Sequence, residues 1–208
     1  MNKAKINTNW RGYRIAAWGG QCLLTITVLV TAAQGKWKEA SALAIFLLAS
    51  FAFVALENQL PTLFDMLFVL AALLNAGGWV WGLFYLPGPY DEITHAFTIF
   101  SITLALSFLV YGSLLTSFKS HRLLYVLTIA SFGIAIGAVW EVAEWLAGKI
   151  LPSEVIGSLD DTIMDLVMDT LGAGLAALLS LWVLKDWVRS TSTGANEQAE
   201  VYSHSHRE

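Results

Sequence analysis

Charge is scarce in this chain: of 208 residues only 13% are Asp, Glu, Lys or Arg, against about 25% in an ordinary soluble domain. Cysteine is nearly absent. Cys22 alone excludes an internal disulfide and any multi-cysteine metal site, and its place in an apolar run reads as a small buried side chain. The four prolines fall in the short connections "ENQLP", "PGPYD" and "GKILPSEVIGS", none within a long apolar run. Basic clusters are missing too, so nothing in the net charge of −4 points to nucleic acid. No strand-like alternation of useful length appears, and no internal repeat aligns.

What is present is hydrophobic length. The chain is 56% hydrophobic, and six apolar runs approach or exceed the roughly 17–25 residues that cross a ~30 Å hydrocarbon core. They lie at about 13–33, 40–56, 62–86, 92–115, 122–147 and 160–184. Backbone in lipid must satisfy its own hydrogen bonds, so the runs are expected to be helices. The fold class is an all-α integral membrane protein, a six-transmembrane-helix bundle over 1–187. Residues 188–208 form a polar tail, expected to be disordered and cytoplasmic. The first run resembles a signal peptide, with "VTA" at 30–32, but it exceeds the usual 7–15 residue core and is read as retained. Nine tryptophans, Trp10, Trp37 and Trp145 among them, suit interfacial belts.

Lysine and arginine set the orientation. With the N-terminus inside, Lys3, Lys5, Arg11, Arg14, Lys119, Arg122, Lys185, Arg189 and Arg207 are cytoplasmic, and only Lys36, Lys38 and Lys149 are outside. Both termini are expected in the cytoplasm. That topology gathers "YDEITHAF", "WEVAEWLAGK" and "LDDTIMDLVMD" at the outer side. Nine of the sixteen acids lie there: Asp91, Glu92, Glu141, Glu144, Glu154, Asp160, Asp161, Asp165 and Asp169.

Spacing sharpens the pattern, because residues three or four apart share a helix face. Asp91 and His95 are one turn apart, as are Glu141 and Glu144, and Asp161, Asp165 and Asp169 form one stripe. A carboxylate at the centre of a lipid-embedded helix costs on the order of 2.5–3.5 kcal/mol even on the most forgiving scale. Asp160 and Asp161 follow Ser158 and equally suit a helix N-terminus, and Asp91 and Glu92 open their helix in the same way. Glu141 and Glu144 sit where the helix dipole disfavours negative charge, and Asp165 and Asp169 lie too deep to be caps.

Clustered carboxylates in a poorly hydrated pocket need a bound cation or protons. Oxygen ligands with one imidazole suit a divalent ion: Mg²⁺, Mn²⁺ or Ca²⁺, with Fe²⁺ and Zn²⁺ also open. The candidate metal ligands are Asp91, His95, Glu141, Glu144, Asp161 and Asp165, with Asp160 and Asp169 as additional candidates. Gly133 and Gly137 have the spacing that lets membrane helices approach, and Gly172 and Gly174 are read as packing beside Asp169. Asp65 and Asn75, in the third run, have no partner that spacing can name.

"YDEITH", "AVWEVAEW" and "DDTIMDLVMDTLGA" resemble the signature blocks of the YjdF-like family of small bacterial inner-membrane proteins. The blocks fall on Tyr90, Asp91 and His95; on Glu141, Glu144 and Trp145; and on Asp161, Thr162, Asp165, Gly172 and Ala173. The resemblance covers roughly 85–185. Asp169 departs from it, since an apolar or small residue is expected there, and the loop before the aspartates is shorter than the family's. It implies a multi-pass protein of the bacterial inner membrane and supports the site, but it brings no assigned reaction.

Three functions stay open. One is a multi-pass membrane protein with a carboxylate/His cation-binding site opening to the extracytoplasmic side and no assigned activity, its non-catalytic form being a module in which a bound ion holds three helices together. A second is a metal-dependent membrane hydrolase acting on a lipid or an extracytoplasmic group. The third is a proton or cation transporter, with Glu57 and Asp65 as the inner half's continuations. No catalytic base or nucleophile stands out. The lipid bilayer is the expected partner; protein partners and a homo-oligomer are left open.

Overall fold

A computed structural model of the protein describes residues 9–55, 60–118, 121–150 and 158–205. Glu57, Glu154, Lys3, Lys5, Lys119 and Arg207 lie outside the described residues. The described chain is all helical: α1 (Arg11–Ala33), α2 (Trp37–Ala55), α3 (Thr62–Trp81), a 3₁₀ turn (Leu83–Tyr85), α4 (Tyr90–Phe118), α5 (Arg122–Ile150) and α6 (Leu159–Ser205). All six α-helices contain a segment long and apolar enough to cross a membrane.

Two helix ends differ from the hydropathy reading. The third apolar run continues through "GLFYL", yet α3 stops at Trp81 because Gly82 takes the left-handed conformation that caps a helix. Hydropathy does not register that cap. At the other end, α6 backbone continues to Ser205, past the end of the apolar run at 184. No proline follows Pro152 to stop it. Cys22, read as buried, is exposed on the outer face of α1. In a bilayer that face meets acyl chains, so an apolar run does not distinguish inside from outside.

The helices form two groups of three. Helices α1, α2 and α3 pack mutually, as do α4, α5 and α6, and α3 against α4 joins the groups. Leu24, Leu43, Val54 and Val69 fill the first group. Phe64 and Phe68 of α3 meet Leu104 and Ala105 of α4 and Ala176 of α6. Polar side chains tie the groups together. Asn75 donates to Thr98 Oγ1 at 3.1 Å, and Tyr90 Oη donates to the Leu74 carbonyl at 2.7 Å.

Without a hydrophobic drive between helices in lipid, close approach through small residues decides packing. Gly172 shows this: a Cβ there would lie 2.3 Å from the Ala96 carbonyl oxygen, so α4 and α6 meet backbone to backbone. Gly133 makes room for Thr103 and Ala173. Gly174 faces open space and plays no such part.

Asp65 finds a partner that no local spacing could reveal. Arg14 Nε lies 3.8 Å from its Oδ2, and Arg14 Nη2 donates to the Val54 carbonyl at 3.0 Å. Asn9 Oδ1 accepts from the Thr62 amide beside them, fixing the starts of α1 and α3 together. This polar end is opposite the one where α4 and α6 begin.

Candidate functional site

Three helices meet around His95. Its position is set by Tyr90, whose hydroxyl anchors the first turn of α4 to α3, and by the close α4–α6 contact at Gly172. The imidazole is 10% exposed and has carboxylates on both sides. Toward Nε2 lie Asp91 Oδ1 at 3.7 Å and Asp165 Oδ1 at 3.9 Å. Toward Nδ1 lie Asp169 Oδ1 at 3.3 Å, within hydrogen-bond range, and Glu141 Oε1 at 3.8 Å.

Asp165, Asp169 and Glu141 are buried, at 4%, 0% and 6% exposure. Gly137 of α5 is what admits Asp169: a Cβ there would lie 2.2 Å from its Oδ2. Both Glu141 oxygens and Asp169 Oδ2 are buried without a hydrogen-bond partner. Among the described residues no lysine or arginine pairs with these acids. Lys149, the base nearest in sequence, lies instead over the Trp145 ring. Four carboxylates around one imidazole call for protons or a positive guest.

Geometry fits a cation. Two ligands each about 2.0–2.6 Å from an ion are at most about 4–5 Å apart. One ligand atom each from Asp91, His95 and Asp165 lie within 4.8 Å of one another, and so do those from His95, Glu141 and Asp169. The buried carboxylate and imidazole groups can therefore hold a metal ion, and the unpartnered oxygens of Glu141 and Asp169 lie in the second of these two groups.

Of the residues singled out in the sequence, Asp91, His95, Glu141, Asp165 and Asp169 come together. Asp169, the departure from the family pattern, is the one closest to His95. Glu144 belongs to neither ligand group; it accepts a hydrogen bond from Trp140 Nε1 at 2.9 Å. Asp160 and Asp161 are exposed at the start of α6, where the Asp161 amide donates to Ser158 Oγ at 3.2 Å, a helix cap. Trp140 was not foreseen, although its i,i+4 spacing to Glu144 was there to be read.

Fold and site together define a polytopic helical membrane protein with a buried carboxylate–imidazole cluster. The chain belongs to the DUF2238 family of predicted membrane proteins, whose model matches residues 14–186. That assignment is consistent with the YjdF-like resemblance. No curated protein and no solved structure matches the chain.

Proposed function

We propose that this protein binds a divalent cation at the extracytoplasmic end of its bundle, as a multi-pass protein of the bacterial inner membrane with both termini in the cytoplasm. The Lys/Arg distribution supports that orientation. One observation carries the cation reading: acids from three different helices converge on the two nitrogens of a single buried imidazole.

The two nitrogens have different tasks. An ionised carboxylate only accepts hydrogen bonds, so with Asp169 ionised the 3.3 Å contact supports a tautomer whose Nδ1–H donates to Asp169. Nε2 then offers its lone pair between Asp91 and Asp165. Metal-binding histidines commonly donate their other N–H to a carboxylate in this way, which fixes the ring and raises its basicity. The ion is held by Asp91, His95 Nε2 and Asp165, Asp169 orients the ring, and Glu141 adds negative charge behind it. Glu144, Asp160 and Asp161 surround the site without entering it.

Of the alternatives, the transport reading loses one of its two inner stations, because Asp65 is engaged by Arg14. Pulsed EPR on the Mn²⁺-loaded protein tests the proposal. A ¹⁴N coupling from a directly bound imidazole is expected, and it should vanish in His95→Gln. Mn²⁺ bound with no nitrogen coupling would overturn it.

A further inference from the structure

Beside the acid cluster lies a cavity of about 330 Å³, within the usual range for small-molecule sites. It opens between α2 and α5, whose backbones do not approach closely among the described residues, and α3 and α4 line it as well, through Phe68, Asn75, Thr98 and Ile102 among others. Ile45 of α2 and Val139 of α5 form exposed lips, and the Phe46 and Trp140 rings, 6.1 Å apart, face each other across the seam. Trp140 is held there by Glu144. The walls are mostly aliphatic and aromatic, with Ser50, Asn75, Thr94 and Thr98 as neutral polar members. At the inner end stand His95 and Asp169.

Three properties select the occupant. Ile45 and Val139 fall within the segments of α2 and α5 that are long and apolar enough to cross a membrane, so hydrocarbon is the expected medium at these lips. Along the apolar part of the wall a water finds none of the two to four polar partners it needs, so that part suits a hydrocarbon chain. The lining contains no lysine or arginine, and its only charged side chains are His95 and Asp169. An anionic end group would meet Asp169 as a like charge, whereas a hydroxyl can donate to the carboxylate. We infer that the α2–α5 cavity binds the chain of a neutral lipid from the bilayer, with a terminal hydroxyl directed at His95 and Asp169. The Phe46–Trp140 pair is the entrance.

This goes beyond the cation proposal and does not need it, because the ion would sit on the Nε2 side of His95. The test is therefore made on metal-free protein, in EDTA and reconstituted in nanodiscs. A long-chain alcohol carrying a diazirine in its chain is photolysed and the labelled peptides are mapped. Label should concentrate on the lining segments of α2, α3, α4 and α5 and be displaced by the unlabelled alcohol. The fatty acid of the same length should compete more weakly by on the order of 100-fold, the scale of a like-charge contact at intermediate dielectric. Filling the cavity with Ala49→Phe and Ala143→Phe should remove the label. Competition on the wild-type chain decides the question even if that variant does not fold. Label spread evenly over outward faces such as those of Leu23 and Leu29, or equal competition by the fatty acid, would overturn the inference.

Discussion

Asp165→Asn removes one negative charge from the ion's surroundings while nearly preserving volume. The carboxylate is 4% exposed and its Oδ1 lies 3.9 Å from His95 Nε2, the nitrogen assigned to the ion. Unit charges about 4 Å apart interact by about 4 kcal/mol at an effective dielectric of 20. Because each 1.4 kcal/mol is tenfold in an equilibrium constant, cation affinity should fall by about 100- to 1,000-fold. At a concentration 1,000 times Kd an ion stabilises the native state by about 4.1 kcal/mol through RT ln(1 + [L]/Kd). A 1,000-fold weaker site at the same concentration retains only about 0.4 kcal/mol of that. The assay is thermal unfolding in detergent, with EDTA and with Mn²⁺, for the wild type and the variant. The ion-dependent rise in Tm should nearly disappear in Asp165→Asn. An equal rise in both proteins would refute the assignment of Asp165 as a ligand, even if the variant were the more stable in EDTA from relief of like-charge crowding.

Other outcomes follow from the same geometry. Asp169→Asn leaves the ligands in place but loosens His95, so affinity for Mn²⁺ by titration calorimetry should fall by about 10–100-fold, less than for Asp165→Asn. Gly172→Ala forces a Cβ against the Ala96 carbonyl and should cost about 1–3 kcal/mol of stability. Gly174→Ala meets nothing and should be neutral or stabilising by up to about 1 kcal/mol; similar unfolding curves for the two would contradict the packing account. Arg14→Met leaves Asp65 without the guanidinium and should destabilise by up to about 3 kcal/mol, with recovery on adding Asp65→Leu. A failure of that second change to restore stability would show that the ion pair is not the reason. Reporter fusions at both termini should give cytoplasmic activity, and an active periplasmic reporter at Glu208 with the N-terminus inside would remove at least one span.

The six helices were legible because hydrocarbon thickness imposes a length that hydropathy measures directly. Their ends were less so: α3 stops at a glycine cap inside a continuing apolar run, and α6 carries on past its apolar segment. Helical spacing brought out the acid stripe, since Asp165 and Asp169 share a face whatever the partner helix. Spacing alone does not say which turn faces the centre. Asp161 shares that stripe but lies at the exposed mouth, and Glu144 turns to Trp140 one helical turn back. Long-range pairs such as Arg14 with Asp65, 51 positions apart, leave no local signature. The cavity between α2 and α5 leaves none either, because a seam between apolar helices has the same composition as a packed interface.

Elemental analysis of the detergent-purified protein, prepared without chelator, tests the cation site most directly. About one divalent metal ion per chain is expected in the wild type, and background levels in the Asp91→Asn/Asp165→Asn double variant, whose two ligand acids approach His95 Nε2. Equal metal in both proteins, or none in a wild type that also takes up no added Mn²⁺, would contradict it.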